Sequence, residues 1–304
     1  MIVRILGSAA GGGFPQWNCN CVNCAAVRSG SHNLVARTQT SIAVSGNGHD
    51  WVLLDATPDL RAQIATAPVL QPRMKDAARS SPIKAVVVTG FEVDQVGGLL
   101  NLREGQEFQL HATAFVHAAL GTNEIFNVLS RSVVDRREMH LGSPFSPHDG
   151  ASIEITPQPM PGKVPLPLQR LSERSLDKES SIALVIRDAK SNRSVAYVPC
   201  CAEITEDVLC SLDGVDVLLF EGTLYRDREL IDLGLSQKTG AMMGHVSMSG
   251  PEGSIARLRS LKVGRRIFIH LNNSNPVLSE DSQERMAIAE AGWEVAHDGM
   301  EMAI

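Results

Sequence analysis

Short apolar runs separated by turn signals recur along the chain. They fall at residues 3–6, 84–90, 181–188, 194–200, 216–222 and 266–272. Runs of this length with little alternation suit strands buried on both faces, which predicts sheets covered by helices. Residues 41–44 and 51–54 are two further β-type runs joined by a Gly/Asn-rich stretch, the pattern of a hairpin. Near the C-terminus, "SEDSQERMAIAEAG" predicts a helix capped by Ser279 and stopped at Gly292. The following "WEVAHDGMEMAI" predicts a closing hairpin that turns at Asp298-Gly299. Residues 157–167 ("PQPMPGKVPLP") are expected to form a stiff irregular loop. With no internal repeat, low-complexity tract or linker, residues 1–304 are expected to form a single α/β domain.

Polar residues follow several of these runs at their C-terminal side. Residues 86–88 lead to Thr89, Glu92 and Asp94, residues 218–220 to Glu221, and residues 267–269 to His270. In open α/β sheets, ligands bind in the crevice beyond the carboxyl ends of the strands, so these side chains are expected to share one cleft.

Composition narrows the classes of function. The chain is 43% apolar and 20% charged, enough to build a buried core. A formal charge of -6 gives no support to a nucleic-acid partner, whose phosphates demand clustered Lys and Arg. No apolar run reaches the roughly 18 residues of a bilayer-spanning helix. The start, "MIVRILGSAAGGG", is too short in apolar residues for a secretory signal, so a cytoplasmic protein without a membrane partner is expected. In a reducing compartment clustered cysteines point to metal or redox chemistry rather than to disulfides. Cys19, Cys21 and Cys24 stand within six residues, after a glycine run. Three thiolates within reach of one tetrahedral ion fit zinc, and a site closed by a fourth protein ligand is structural. Cys200 and Cys201 are vicinal and cannot readily bridge each other.

The segment "VVVTGFEVDQVGGLL" at residues 86–100 resembles the Thr/Ser-His-x-His-x-Asp-His-x-x-Gly motif of the metallo-β-lactamase superfamily. "GSAAGGGFPQWNCNCVNC", "ARTQTSIAVS", "ATPDLRAQI", "MGHVSMSGPEGS", "HLNNSNPVL" and "VAHDGM" extend the likeness over nearly the whole chain. Together they resemble the branch of that superfamily that serves synthesis of pyrroloquinoline quinone (PQQ). The resemblance implies an αββα sandwich of two mixed sheets flanked by helices. It also implies a role in PQQ biosynthesis, as an iron-dependent oxygenase that hydroxylates the tyrosine ring of a peptide-derived precursor. The alternative is a carrier that binds PQQ or its precursor and assists transport toward the periplasm. The implied partner is a small-molecule or short-peptide substrate, with a homodimer left open.

Carried over residue by residue, the resemblance implies catalytic roles for Asp94, His245 and His270. Glu92, Asp94, Gln95 and His270 would hold iron or another divalent metal in the cleft. Asn273 falls where a related phosphodiesterase family places the histidine that completes the three-cysteine zinc site. The chain departs from the motif at Gly90 and Glu92, which replace the two leading histidines, and at Gln95, where the family usually has histidine. Glutamine is a weaker donor to a transition metal than imidazole. A histidine-poor set also argues against metal-assisted hydrolysis of a phosphodiester or lactam.

Overall fold

A computed structural model describes residues 1–74, 76–163 and 177–304. The first sheet contains β1 (Ile2–Gly7), β2 (Ser41–Ser45), β3 (Trp51–Leu54), β4 (Ile83–Val87), β5 (Phe108–Thr113) and β6 (Val134–Met139). The second is built from β7 (Ile153–Pro159), β8 (Ile182–Asp188), β9 (Ser194–Val198), β10 (Val217–Glu221), β11 (Arg265–Ile269) and β12 (Trp293–Val295). A last strand, β13 (Glu301–Ala303), returns to the first sheet beside β1. The orders are β13-β1-β2-β3-β4-β5-β6 and β12-β11-β10-β9-β8-β7.

Both sheets are mixed. β3 to β6 run parallel while β13, β1, β2 and β3 pair antiparallel. In the second sheet β9 to β12 run parallel and β7, β8 and β9 antiparallel. The period-2 alternation of strand side chains sorts the apolar residues into layers. Ile5, Val44, Leu54 and Val87 of the first sheet meet Leu184, Tyr197, Leu219 and Ile267 of the second in a buried core. The opposite face of the first sheet packs Leu53, Val86 and Leu110 on helices carrying Leu60 and Val116. That of the second packs Leu218, Phe220 and Phe268 on helices carrying Val208, Leu212 and Ile288. This is the αββα sandwich expected from the sequence.

Four local expectations are corrected. Trp293–Val295 and Glu301–Ala303 are not a hairpin: β12 pairs parallel with β11 and β13 antiparallel with β1, so the chain crosses between sheets at Asp298-Gly299. The C-terminal helix spans Gln283–Glu290, and its cap is Ser282, whose side chain accepts from the Arg285 N–H, rather than Ser279. A short 3-10 turn, Pro276–Leu278, already occupies the preceding segment. Residues 157–159 belong to β7 instead of an irregular loop, because its pairing with β8 continues to Pro159; residues 164–167 of that expected loop lie outside the described residues. Finally, residues 97–100 (Gly-Gly-Leu-Leu) read as the start of the helix after β4, but that helix starts earlier, at Val93.

The carboxyl ends of the parallel strands β4, β10 and β11 open at one edge of the sandwich. An isolated bridge between Gly90 and Ser181 and another between Ala9 and Leu271 draw the neighbouring loops over that edge. The N-terminal glycine loop lies close against it. A Cβ on Gly11 would stand 3.3 Å from Asp94 Oδ2, so the missing side chain is what admits the loop to this position.

Candidate functional site

Two groups of potential ligands lie on opposite sides of the loop that follows β11. On one side, the Sγ atoms of Cys19, Cys21 and Cys24 come within 4.8 Å of one another. The Asn273 amide reaches all three, with Nδ2 at 3.1 Å from Cys19, 3.6 Å from Cys21 and 3.4 Å from Cys24. A half-turn of that amide exchanges nitrogen for oxygen and puts Oδ1 at the fourth corner of a tetrahedron. The donor set therefore fits zinc, with three soft thiolates and one amide oxygen. Asn23 secures the far loop by donating to the carbonyls of Asn273 at 3.1 Å and Asn275 at 3.0 Å. Burial opposes ionisation of Cys21, but hydrogen bonds from Cys24, Cys19 and Asn273 outweigh it and hold its thiol below the usual value. Burial pushes Cys24 up to about 11. Metal uptake must displace that proton, so zinc affinity rises with pH.

On the other side, a cavity of about 260 Å³ is lined by Asp94, Lys163, Cys200, His245, His270 and Asn272, among others. Asp94 comes from the helix Val93–Val96, and His270 is the first residue after β11. His270 has φ 60, a left-handed bend that a histidine adopts at a cost of about 1–3 kcal/mol. His270 Nε2 lies 3.1 Å from Asp94 Oδ2. Burial opposes ionisation of Asp94, yet the hydrogen bond and charge of His270 hold its carboxyl below the usual range.

His245 sits beside this pair, its ring stacked on that of His270 with centroids 5.5 Å apart. Burial alone would lower the His245 imidazole. The carboxylate of Glu221 at 3.0 Å, with Cys200 adding to it, raises it well above the usual histidine value. His245 can therefore hold a proton facing the cleft at neutral pH, the requirement for a general acid.

Glu92 and Gln95, which also line the cavity, close a helix N-terminus. Glu92 caps the helix Val93–Val96 at the cavity rim, where burial and the charge of Asp94 raise its carboxyl. Gln95 accepts from the Glu92 N–H at 2.9 Å and donates to Thr89 Oγ1 at 3.0 Å. This is the reciprocal capping box that closes a helix N-terminus. The Gln95 amide thus engages the Glu92 N–H and Thr89 while lining the cavity in which it was expected to hold a metal. Gly90 makes the arrangement feasible, because a Cβ there would meet Gln95 Oε1 at 2.4 Å. Replacing Gln95 by alanine is expected to cost about 1 kcal/mol of stability, while leaving Mn(II) affinity in the cleft within about threefold, or about 0.7 kcal/mol. Denaturant melts and a metal titration check this, and a hundredfold loss of affinity would restore Gln95 as a ligand.

The chain Gln95 to Thr89 continues to Asp55, at the end of β3, which accepts from the Thr89 N–H at 2.8 Å and from Tyr197 Oη at 3.0 Å. Burial pushes the Asp55 carboxyl up to about 7. The folded protein then binds a proton that the unfolded chain has released, so stability falls as pH rises from about 4 to 7 and levels off above. The loss is on the order of 4 kcal/mol. Asp55→Asn is expected to flatten that slope in urea melts taken between about pH 5 and 8, and an unchanged slope would show that another group titrates.

The family described as the beta-lactamase superfamily domain matches residues 50–271. Coenzyme PQQ synthesis protein B of Methylobacterium nodulans is 47% identical over 301 residues, covering 99% of both chains. The chain belongs to the coenzyme PQQ synthesis protein B family. The crystal structure of Zn²⁺-bound PqqB from Methylobacterium extorquens superposes with a TM-score of 0.94 at 44% identity, covering 100% of each chain. A diphosphatase of the PhnP family, 21% identical with a TM-score of 0.68, shares the fold; it covers 99% of this chain and 96% of its own.

Within this coenzyme PQQ synthesis protein B fold, the structure brings Asp94, His245 and His270 to one cavity and Asn273 to the three cysteines. It also supplies two residues that the sequence reading did not place at the cleft, Asp55 and Thr223, and gives Glu221, which was expected there, a partner in His245. Glu221 ends one of the apolar runs, which was its only signal. Thr223, two residues further on, had none. Glu221, His245 and His270 place one ligand atom each within 4.8 Å of one another, a spacing that would suit an ion. Thr223 Oγ1 fills the centre of that group, at 2.5 Å from Glu221 Oε2 and 3.1 and 3.0 Å from the Nδ1 atoms of His245 and His270. The group is a hydrogen-bonded hub, and beside it Asp94 Oδ2 and His270 Nε2 meet at the cavity wall.

Proposed function

We propose that this chain acts in PQQ biosynthesis by oxygenating the aromatic ring of a tyrosine-derived precursor, with a divalent metal held by Asp94 and His270. The observation that carries the reading is the opposed pair of Asp94 Oδ2 and His270 Nε2, 3.1 Å apart at the cavity wall. One hard and one borderline donor with open positions beside them suit iron(II), which would supply the activation of O₂. Hydroxylation replaces a ring hydrogen by one oxygen atom of O₂, and the other leaves as water at the expense of two electrons from an external reductant and two protons. The chain's own contributions are positional. His245 holds a proton over the cleft, Thr223 and Glu221 fix its orientation, and Lys163 at the rim offers a positive charge to a carboxylate of the substrate. The decisive experiment loads the protein anaerobically with Fe(II), adds a tyrosine-containing peptide and reductant, and follows oxygen uptake with mass spectrometry of the peptide. A gain of one oxygen per peptide, absent in His270→Ala, supports the reading.

A carrier of PQQ or its precursor is the second reading, favoured by the capping role of Gln95, which leaves the metal one fewer imidazole or amide donor. Tight PQQ binding without oxygen uptake by the Fe(II)-loaded protein would establish it over the first.

A further inference from the structure

The geometry points to Thr223 as a positioning residue that sets the tautomer of His270, and with it the direction of the lone pair offered to the cleft. Thr223 is 4% exposed and lies two residues past Glu221, the last residue of β10. Its backbone is pinned from the loop beyond β11, since its carbonyl accepts from the Asn272 N–H at 3.1 Å. A hydroxyl carries one donor and two acceptor sites. The Thr223 proton is claimed by Glu221, because two oxygens 2.5 Å apart in a buried place repel unless a hydrogen lies between them. That leaves the hydroxyl as an acceptor toward both imidazoles.

His270 Nδ1, 3.0 Å away, must then be an N–H donor, so the neutral ring carries its lone pair on Nε2, and only the protonated ring donates from Nε2 to Asp94. His245 Nδ1 meets two acceptors, Thr223 Oγ1 at 3.1 Å and Glu221 Oε2 at 3.0 Å, and is a donor by the same logic. One hydroxyl therefore orients the ring that faces Asp94 and helps orient the ring beside it. A neutral His270 so arranged turns an acceptor toward a carboxylate, a pairing that a cation between them resolves. A neighbour that fixes the opposite ring nitrogen is the usual means by which a histidine ligand is oriented. The inference does not depend on which reaction the cleft performs.

The test compares wild type, Thr223→Val and Thr223→Ser without cleft metal and with the cysteine zinc retained. Long-range ¹⁵N–¹H correlation spectra at alkaline pH report which nitrogen of the neutral ring is protonated, with His270 assigned by the signal lost in His270→Gln. Wild type and Thr223→Ser are expected to show His270 protonated at Nδ1. Thr223→Val, which keeps the shape and loses the hydroxyl, is expected to shift it toward Nε2 and to weaken Mn(II) binding at least about tenfold. Serine should recover most of that loss. A neutral His270 ring protonated at Nε2 in the wild-type protein overturns the inference outright, even if the valine variant does not fold. So does a serine variant as weak as valine, which would mean that packing of the threonine methyl, and not its hydroxyl, matters.

Discussion

Replacement of Cys21 by serine is expected to lower the zinc content from one ion per chain to none and to reduce stability by at least about 4 kcal/mol. A large effect is expected because metal binding at a preformed thiolate cluster is also folding free energy, and loss of a metal is among the few single changes of that size. The segment that would come loose is identifiable. Residues 19–24 are tied to Asn273 through the three sulfurs, to Asn275 through Asn23, and internally by Arg28, which donates to the carbonyls of Cys19 and Gln16. The core between the two sheets is built from other residues, so the variant should remain folded with a melting temperature lower by roughly 10 °C. Elemental analysis and calorimetry check both parts. A Cys21→Ser protein that retains a full equivalent of zinc would place the ion elsewhere.

The second large effect is expected at the cleft. Asp94→Ala and His270→Ala should each weaken Mn(II) or Fe(II) binding by at least a hundredfold, about 2.7 kcal/mol, with zinc content unchanged. Two of their neighbours are already engaged. Gln95 is spent on its capping box, and the carboxylate of Glu221 accepts from Thr223, Cys201 and Val246. His270→Gly adds a useful control, since glycine tolerates the left-handed bend at residue 270 without strain. Loss of binding in a variant at least as stable as wild type then reflects the missing imidazole. Unchanged titrations in all three variants would remove the cleft metal from the proposed function.

The parts of this fold that were legible in the sequence are those fixed by local pattern. The buried strands announce themselves as apolar runs because both faces are covered, and the cysteine site does so because three soft donors lie within one short segment. The sheet assignment of β12 and β13 was hidden, since two strands separated by a turn form a hairpin unless more distant partners, here β11 and β1, offer better pairing. Gln95 was ambiguous for a different reason. The same side chain can cap a helix or face a metal, and only the room left by Gly90 and the position of Thr89 decide between them. Asn273 could be connected to Cys19 only by resemblance, because no spacing rule spans so much chain. Thr223 had no signature at all: its role depends on three acceptors and donors brought together from the ends of β10 and β11 and the turn at His245.

The loop from His270 to Asn275 begins at the cleft and ends at the cysteines, so the two sites share one short piece of backbone. Thermodynamic reciprocity then applies: if filling the cleft steadies this loop and strengthens the hold on zinc by some factor, zinc must strengthen cleft binding by the same factor. Chelator treatment intended to clear the cleft would also slacken its floor. Affinities measured on protein stripped in that way should come out weaker than those of protein that has never lost its zinc, and the ratio between the two preparations measures how strongly one end of the loop feels the other.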